Sequence, residues 1–329
     1  MHAIVSDEGL PIDHPDALRD AEVAEPEMGP RDVLIRVEAV SVNPVDYKKR
    51  RAHKAKNGQL IVGYDGAGTV TAVGSETHGI EVGDEVWWAG DATRPGANAD
   101  FQAVDHRIVA KKPQAASFAD SASLPLTALT AWEGMFDQLR LSREDSATLL
   151  MVGGAGGVGS ILIQLAKRLT ALKVVATASR EETRVWVSRM GADAVVDHRD
   201  LVAEVSGTVP DGVDYIFSSY TRGNIRDFAK IIKPFGDIVS IDGTDEDLQP
   251  LFLKSASMHW EYMFTRSRFE TWDMAEQSGI LSTLADLVDR GDVVTTATQY
   301  IDDFSAAGIR EAHRLVESRQ MIGKVVVHR

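Results

Sequence analysis

The sequence predicts an α/β protein in which a mainly β domain precedes a doubly wound parallel sheet. Three observations support this fold class. Residues 1–124 contain short β-branched segments separated by glycine turns, and apolar and polar residues alternate along Asp32–Val42. From about Leu124, strand patterns alternate with helix patterns, which indicates parallel strands joined by right-handed crossovers. Five of the seven residues 153–159 are glycine, and they lie between two apolar segments.

The composition is typical of a globular protein. The chain has 329 residues, of which 44% are apolar and 26% charged, which is enough for two domains with separate cores. Because the N-terminus has neither a basic leader nor an apolar signal segment, we expect a cytoplasmic protein. The formal net charge of −14 disfavours broad binding to nucleic acid or to an anionic membrane.

The absence of cysteine excludes several kinds of site. Without cysteine the chain has no disulfides, thiolate nucleophiles, Fe–S clusters or cysteine-ligated zinc. The nine histidines include no H-x-x-x-H pair of the kind that binds zinc on one helix face. We therefore expect no metal site.

The individual elements of the parallel sheet follow from the pattern after Leu124. Residues 124–139 have a helical pattern. The predicted strands are Thr148–Val152, Lys173–Thr177, Ala194–Asp197 and the segments VDYIFSS and GDIVSID, and the predicted helices are Val158–Leu169, Glu181–Met190 and IRDFAKII. The final 65 residues return to helix plus strand, so we assign 1–124 and 265–329 to the first domain and 125–264 to the second.

The glycine cluster has the form of a dinucleotide-binding turn. Residues Gly154-Ala155-Gly156-Gly157-Val158-Gly159 match G-x-G-x-x-G, follow a predicted strand and begin a predicted helix. Such glycines allow a tight turn and a close approach of pyrophosphate to the helix N-terminus. A P-loop requires lysine where Ser160 stands, which disfavours triphosphate hydrolysis. The sequence predicts a Rossmann domain with Gly154, Gly156, Gly157 and Val158 at the cofactor; the alternative is a turn that binds nothing.

The end of the second strand indicates which dinucleotide is bound. NAD-specific sites place a carboxylate there for the ribose 2′-hydroxyl, whereas this chain has Thr177-Ala178-Ser179-Arg180. Ser179 and Arg180 offer a hydroxyl and a guanidinium to a 2′-phosphate, so we expect NADPH. The alternative is that Arg180 is a solvated surface residue and Ser179 only caps the helix beginning at Glu181.

Several segments together resemble the medium-chain dehydrogenase/reductase superfamily, specifically its zinc-free quinone oxidoreductase-like branch. The segments are SVNPVDYKKR, GYDGAGTVTAVG, VGDEVW, LPLTALTAWEGMF, GGAGGVGS and IGKVVV. The resemblance implies a GroES-like β-barrel catalytic domain, a Rossmann domain inserted after it, and a homodimer formed through the Rossmann domains. Zinc-containing members use cysteines and a His-Glu pair, but this chain has Asn43 and Tyr64-Asp65 at those positions. Many quinone-reductase relatives carry Glu in place of Asp65.

The resemblance also assigns residues to the substrate. It implies that Asn43, Asp46 and Tyr47 lie on the substrate side and that Tyr64 approaches the nicotinamide, so the catalytic candidates are Asn43, Tyr47 and Tyr64. The structural alternatives are that Asn43-Pro44 only shapes a turn and that Asp46 only caps the following helix. His198 is expected to be a surface residue.

Further residues are assigned to the cofactor by the same resemblance. Thr127 is expected near the nicotinamide, Ile241 and Phe264 on either side of its ring, and Lys324 near a phosphate or a carbonyl oxygen. The alternative for Lys324 is a solvated strand residue.

Together these features predict hydride transfer without a metal. A metal-free site lacks the usual electrophile for alcohol oxidation, whereas quinones and α,β-unsaturated carbonyls (enones) accept hydride with less assistance. We therefore expect an NADPH-dependent quinone or enone reductase in which Tyr47 donates a hydrogen bond to the acceptor oxygen. The alternative is a protein that binds NADPH without turnover, as a sensor or as a structural or interaction protein.

Overall fold

The computed structural model describes residues 1–329 and divides into two compact units. Unit 1 comprises Met1–Leu126 and Phe264–Arg329, and unit 2 comprises Thr127–Met263. The strands of the first part of unit 1 are β1 (His2–Val5), β2 (Arg19–Glu22), β3 (Asp32–Ser41), β4 (Gly66–Val73), β5 (Glu85–Trp88), β6 (Phe101–Asp105) and β7 (Val109–Lys111). Its helices are α1 (Pro44–Ala52) and α2 (Phe118–Ala122).

Unit 2 alternates strands with helices. It begins within α3 (Pro125–Trp132), which continues as a π-helical turn over Glu133–Gln138. Its strands are β8 (Thr148–Val152), β9 (Lys173–Thr177), β10 (Ala194–Val196), β11 (Val213–Ser218), β12 (Ile232–Ser240) and β13 (Ser257–Trp260). Its remaining helices are α4 (Gly157–Leu169), α5 (Glu181–Met190), α6 (Leu201–Thr208), α7 (Ile225–Ile231) and α8 (Gln249–Phe252).

The chain then completes unit 1 with α9 (Thr265–Arg268), α10 (Glu276–Asp289), β14 (Ala297–Ile301), α11 (Ala306–Glu317) and β15 (Lys324–His328). The main sheet of unit 1 has the strand order β14-β15-β3-β4-β5-β7, with β6 also paired to β3. Its pairings are antiparallel except between β14 and β15. The alternating residues Val33, Ile35 and Val37 are fully buried and share one core with Ile309 of α11 and Val325 of β15.

The six strands of unit 2 form one parallel sheet in the order β10-β9-β8-β11-β12-β13. The predicted α/β class is confirmed, and the strands at 148–152 and 173–177 and the helix at 181–190 have the predicted bounds. The strand predicted from GDIVSID instead begins at Ile232, which pairs with Val213, and ends at Ser240. The sequence pattern does not reveal this start, because Pro234 is typical of a turn. The next residue, Phe235, has a φ of +65°.

None of the helices has the length and apolar character needed to cross a membrane.

In α4 the buried residues Ile161, Leu162, Leu165 and Ala166 follow helical spacing. Lys167 and Arg168 occupy its last turn, where positive charge is favourable.

A buried ion pair connects the N-terminal and C-terminal segments of unit 1. The guanidinium of Arg50 on α1 is fully buried and donates to Glu317 Oε1 of α11 at 2.5 Å and to the carbonyl of Leu10. The Glu317 side chain is 7% exposed and also accepts from Arg51. The carboxylate of Glu317 is therefore the group that neutralises the buried guanidinium.

We predict that Glu317→Ala lowers the free energy of unfolding by about 3–5 kcal/mol, because it leaves a buried charge without its partner. The control is Glu311→Ala, which removes a pair with Arg314 whose side chains are both 48% exposed and should cost at most about 1 kcal/mol. Urea unfolding followed by circular dichroism measures both variants. Equal losses in the two variants would contradict the structural role of Glu317.

Candidate functional site

The glycine turn of unit 2 connects β8 to α4 and is held by the end of β9. Gly153 has a φ of +89°, a conformation that residues with a Cβ rarely adopt. Its N–H donates to Thr177 Oγ1 at 2.9 Å, and the N–H of Gly154 donates to the Thr177 carbonyl at 3.2 Å. The sequence motif did not include Gly153, although its place directly after the strand is the signal that could have identified it.

The other glycines of the turn have different physical reasons. A Cβ on Gly154 would lie 2.9 Å from the Ala176 Cβ, and one on Gly159 would lie 2.5 Å from the Gly153 carbonyl oxygen. Packing within the protein therefore requires glycine at both positions. A Cβ on Gly156 would meet only the Gly153 oxygen, at an ordinary 3.5 Å, so the protein itself leaves free space beside Gly156.

The start of α4 can accept an anion. Gly156 is the N-cap residue and has no side chain to cap the helix, and the first N–H groups of any α-helix lack intrahelical acceptors. These donors and the positive end of the helix dipole favour a phosphate group. Together with the free space beside Gly156, they fit the pyrophosphate of a dinucleotide.

A side chain from α5 supports this turn. The indole Nε1 of Trp186 donates to Ser160 Oγ at 2.8 Å, and Ser160 Oγ donates to the Gly156 carbonyl at 2.7 Å. Nothing in the sequence distinguishes Trp186 from other partly buried aromatic residues, because this contact forms only when α5 packs against α4.

The residues after β9 have the geometry of a helix start. Arg180 is the N-cap of α5, and its N–H donates to Thr183 Oγ1 at 3.1 Å while that hydroxyl donates to the Arg180 carbonyl at 2.7 Å. The alternative that Ser179 caps the helix is therefore wrong. The exposed guanidinium of Arg180 lies 3.1 Å from Glu182 Oε1, and no carboxylate occurs in residues 177–180.

Unit 1 contains a buried polar cluster, which we name the Lys324 cluster and define as Asn43, Asp46, Asp65 and Lys324. Asp46 Oδ2 accepts from the Asn43 N–H at 2.6 Å, and its Oδ1 accepts from the Gly63 N–H at 2.9 Å. The capping role considered for Asp46 is thus present at the start of α1. Complete burial raises the pKa of Asp46 to about 7, and its two backbone hydrogen bonds oppose this shift.

The lysine connects the members of the Lys324 cluster. Lys324 Nζ donates to Asn43 Oδ1 at 2.6 Å and to the Val42 carbonyl at 2.9 Å, and lies 3.2 Å from Asp65 Oδ2. Its three N–H groups thus have acceptors inside unit 1, so contact with a cofactor phosphate would require one of these bonds to break. Lys324 is 5% exposed, and the alternative of a solvated strand residue is wrong.

Asp65 and Asn43 also have their polar atoms engaged. Asp65 accepts from Asn43 Nδ2 at 2.6 Å and from the Leu126 N–H at 2.7 Å. The second N–H of the Asn43 amide donates to the Ser41 carbonyl at 3.3 Å. Burial raises the pKa of Asp65 and lowers that of Lys324, while the attraction between the two groups opposes both shifts.

These residues do not fit a zinc ion. No group of three or more His, Cys, Asp or Glu side chains is close enough to hold a metal. The carboxylate of Asp65 contacts an ammonium and an amide, so it presents no open coordination position. The ammonium group of Lys324 therefore lies beside the Asp65 carboxylate, where a metal ion would have to bind.

Aromatic side chains lie beside the Lys324 cluster. Tyr64 is fully buried and packs edge-to-face against Phe264, with ring centroids 5.5 Å apart. Lys49 Nζ lies 5.0 Å from the centroid of the Tyr64 ring. Tyr47 is 8% exposed, and the centre of its ring lies 5.5 Å from the Arg51 guanidinium.

The remaining predicted residues lie as follows. In unit 2, Thr127 is buried in α3, and Ile241 is half-buried after β12 with its N–H donating to the Ser218 carbonyl at 3.1 Å. His198 is exposed, as expected. That the predicted site residues contact a cofactor or a substrate remains a prediction.

Comparisons with known proteins identify both parts of the chain. Residues 29–132 match the alcohol dehydrogenase GroES-like domain, and residues 190–327 match the zinc-binding dehydrogenase family. A zinc-type alcohol dehydrogenase-like protein from Staphylococcus aureus (strain Mu50) is 40% identical over 90% of each chain. The NADPH-dependent alkenal/one oxidoreductase of Arabidopsis thaliana is 37% identical over 68% of this chain and 58% of its own length.

Solved structures agree with these relatives. A Rhizobium etli protein assigned as a zinc-dependent alcohol dehydrogenase has a TM-score of 0.96 and 42% identity, covering 100% of this chain and 98% of that one. A mycobacterial protein complexed with NADPH has a TM-score of 0.86 and 25% identity, covering 100% of both chains. The GroES-like domain and the Rossmann-like parallel sheet are thereby confirmed, and the chain belongs to the medium-chain dehydrogenase/reductase superfamily of oxidoreductases.

Proposed function

We propose that this oxidoreductase uses NADPH to reduce quinones or α,β-unsaturated carbonyl compounds and does so without a metal. The observation that carries the proposal is the Lys324 cluster, in which an ammonium stands beside Asp65 where the resemblance locates a zinc ligand. The names of the alkenal/one oxidoreductase and the NADPH complex among its relatives support the choice of acceptor and cofactor.

In unit 2 the proposed role of the chain is to bind the dinucleotide. The N–H groups at the start of α4 bind the pyrophosphate in the space that Gly156 leaves free. Arg180 and Ser179 contact the 2′-phosphate. To do so, the Arg180 guanidinium leaves its exposed ion pair with Glu182 and binds the phosphate instead.

In unit 1 the proposed role is to orient the reacting groups. When bound, NADPH supplies a hydride for the acceptor. Tyr64, which packs edge-to-face against Phe264, approaches the nicotinamide, and the hydroxyl of Tyr47 donates to the acceptor oxygen. Because no Lewis acid polarises the substrate, the acceptor must itself be electron-poor, as quinones and enones are.

The decisive experiment measures NADPH consumption by the purified protein with a panel of quinones and enones. We expect turnover with at least one of these classes. With NADPH deuterated at the transferring C4 position, the label should appear at the β-carbon of a reduced enone. No turnover with any acceptor would favour the alternative of NADPH binding without catalysis, and label found only in solvent would contradict direct transfer.

We predict that Arg180→Ala weakens NADPH binding but leaves NADH binding nearly unchanged. A hydrogen bond to a charged group contributes about 1.5–3 kcal/mol, which corresponds to a loss of roughly ten- to a hundredfold in affinity. Fluorescence titration with each cofactor measures the effect. Arg189→Ala, in the exposed last turn of the same helix, is the control and should change neither affinity. Equal weakening of both cofactors by Arg180→Ala would assign Arg180 a different role.

We predict that the purified protein contains no stoichiometric zinc and retains its activity after treatment with chelators. The reason is that the described side chains form no ligand set and that Lys324 neutralises Asp65. Elemental analysis by mass spectrometry measures the zinc content per protein chain. About one tightly bound zinc per chain, with activity lost when it is removed, would disprove metal independence.

A further inference from the structure

We propose that Lys49 is a catalytic residue whose ammonium group stabilises the oxyanion that forms on the acceptor. This inference rests on the proposed function, because it takes Tyr64 and Phe264 to lie at the nicotinamide. It adds a residue that neither the sequence motifs nor the resemblance singled out, and it gives the acceptor oxygen a cationic donor in addition to the Tyr47 hydroxyl.

The position of Lys49 carries the inference. Lys49 lies on α1, one turn after Asp46, and its Nζ lies 5.0 Å from the centroid of the Tyr64 ring. One of its N–H groups donates to the Ala92 carbonyl, which leaves two donors. The residue is partly exposed, so its ammonium is accessible to a small molecule at the surface of unit 1.

The other polar groups near Tyr64 are less suitable. The three donors of Lys324 are all used inside the Lys324 cluster. Asp46 and Asp65 are buried acceptors that repel an oxyanion when ionised. Lys49 is therefore the cation that combines contact with Tyr64, partial exposure and free N–H groups.

The electrostatic surroundings strengthen Lys49 as a donor. Partial burial lowers its pKa, the positive charge of Arg268 acts in the same direction, and the carboxylates of Asp91 and Asp46 oppose the shift. An ammonium that has lost part of its hydration stabilises an adjacent anion more strongly than a solvated one. Asp91 and Asp46 favour the charged form that this role requires.

The proposed step on an enone balances as follows. The β-carbon gains a hydride from NADPH, which is oxidised to NADP⁺. The electron pair of the C=C bond forms the enolate C=C bond, and the carbonyl pair moves onto oxygen. Lys49 donates a hydrogen bond to that oxygen and keeps its proton. Water then protonates the α-carbon, so that enone, NADPH and one proton yield the saturated ketone and NADP⁺.

The first test compares Lys49→Met and Lys49→Arg with the wild-type enzyme. Loss of one oxyanion donor lowers kcat by about 10²–10³-fold in other enzymes, so we expect a loss of this order for Lys49→Met on enones. Lys49→Arg should restore part of it. Lys48→Met, an exposed neighbour on the same helix, is the control and should retain wild-type kcat.

The pH profile distinguishes catalysis from a structural role. Because only the ammonium stabilises the oxyanion, wild-type kcat on an enone should fall as the pH rises through the lowered pKa of Lys49. This alkaline limb should be absent from Lys49→Met. If the variant keeps both the wild-type rate and the limb, the assignment is wrong although the proposed function stands.

A binding measurement makes the test independent of turnover. 4-Nitrophenol is coloured as the phenolate, and wild-type protein should bind the phenolate in preference to the phenol. Lys49→Met should lose this preference, whereas Lys49→Arg and Lys48→Met should keep it, with circular dichroism confirming that each variant is folded. Unchanged phenolate binding by folded Lys49→Met would overturn the inference. Failure of the wild-type enzyme on every acceptor would instead overturn the proposed function.

Discussion

The burial of Lys324 with two carboxyl groups is the constraint on which unit 1 depends. Its ammonium contacts the chain at Val42, Asn43 and Asp65, so the last strand is fastened to segments about 280 and 260 residues earlier. Burying these charges costs free energy that only close pairing and complete hydrogen bonding offset. Because Asn43 and Asp46 begin α1, the same cluster sets the position of that helix. The side chains of Tyr47 and Lys49 are positioned by the rest of the helix.

In unit 2 the candidate binding site is formed mainly by the backbone of the glycine turn. Its turn excludes side chains at Gly154 and Gly159 because neighbouring atoms of the protein are too close, and at Gly153 because of its positive φ. Gly156 differs, since the protein leaves room beside it. Under our proposal this space, at the uncapped start of a helix, is where the pyrophosphate binds. The Trp186–Ser160–Gly156 hydrogen bonds hold that start in place from a neighbouring helix.

The charged groups of unit 1 determine the chemistry that we propose for it. A metal ion would polarise an oxygen by a concentrated positive charge, whereas the described side chains offer ammonium and guanidinium groups. The N–H groups of Lys324 all have acceptors, whereas Lys49 contacts the Tyr64 ring and uses one of its three N–H groups for the Ala92 carbonyl. Under our proposals, fixed positive charge on the protein replaces the Lewis acid, and the range of substrates narrows to acceptors that are already electron-poor.

Local patterns in the sequence determined the α/β class, most strand and helix positions of unit 2 and the glycine turn, because each depends on residues near one another along the chain. They were less accurate at β12, where pairing with β11 extends a strand through Pro234 and Phe235. The sequence alone also left open whether Ser179 caps α5 and whether Lys324 is solvated. The hydrogen bonds between Thr183 and Arg180 are local and settle the first point, whereas only the tertiary structure decided that Lys324 is buried beside Asp65. It also placed Lys49 against Tyr64 and Trp186 against the glycine turn. The physical reason is that burial, charge pairing and side-chain contact arise between segments distant in sequence, and no local pattern specifies which segments meet.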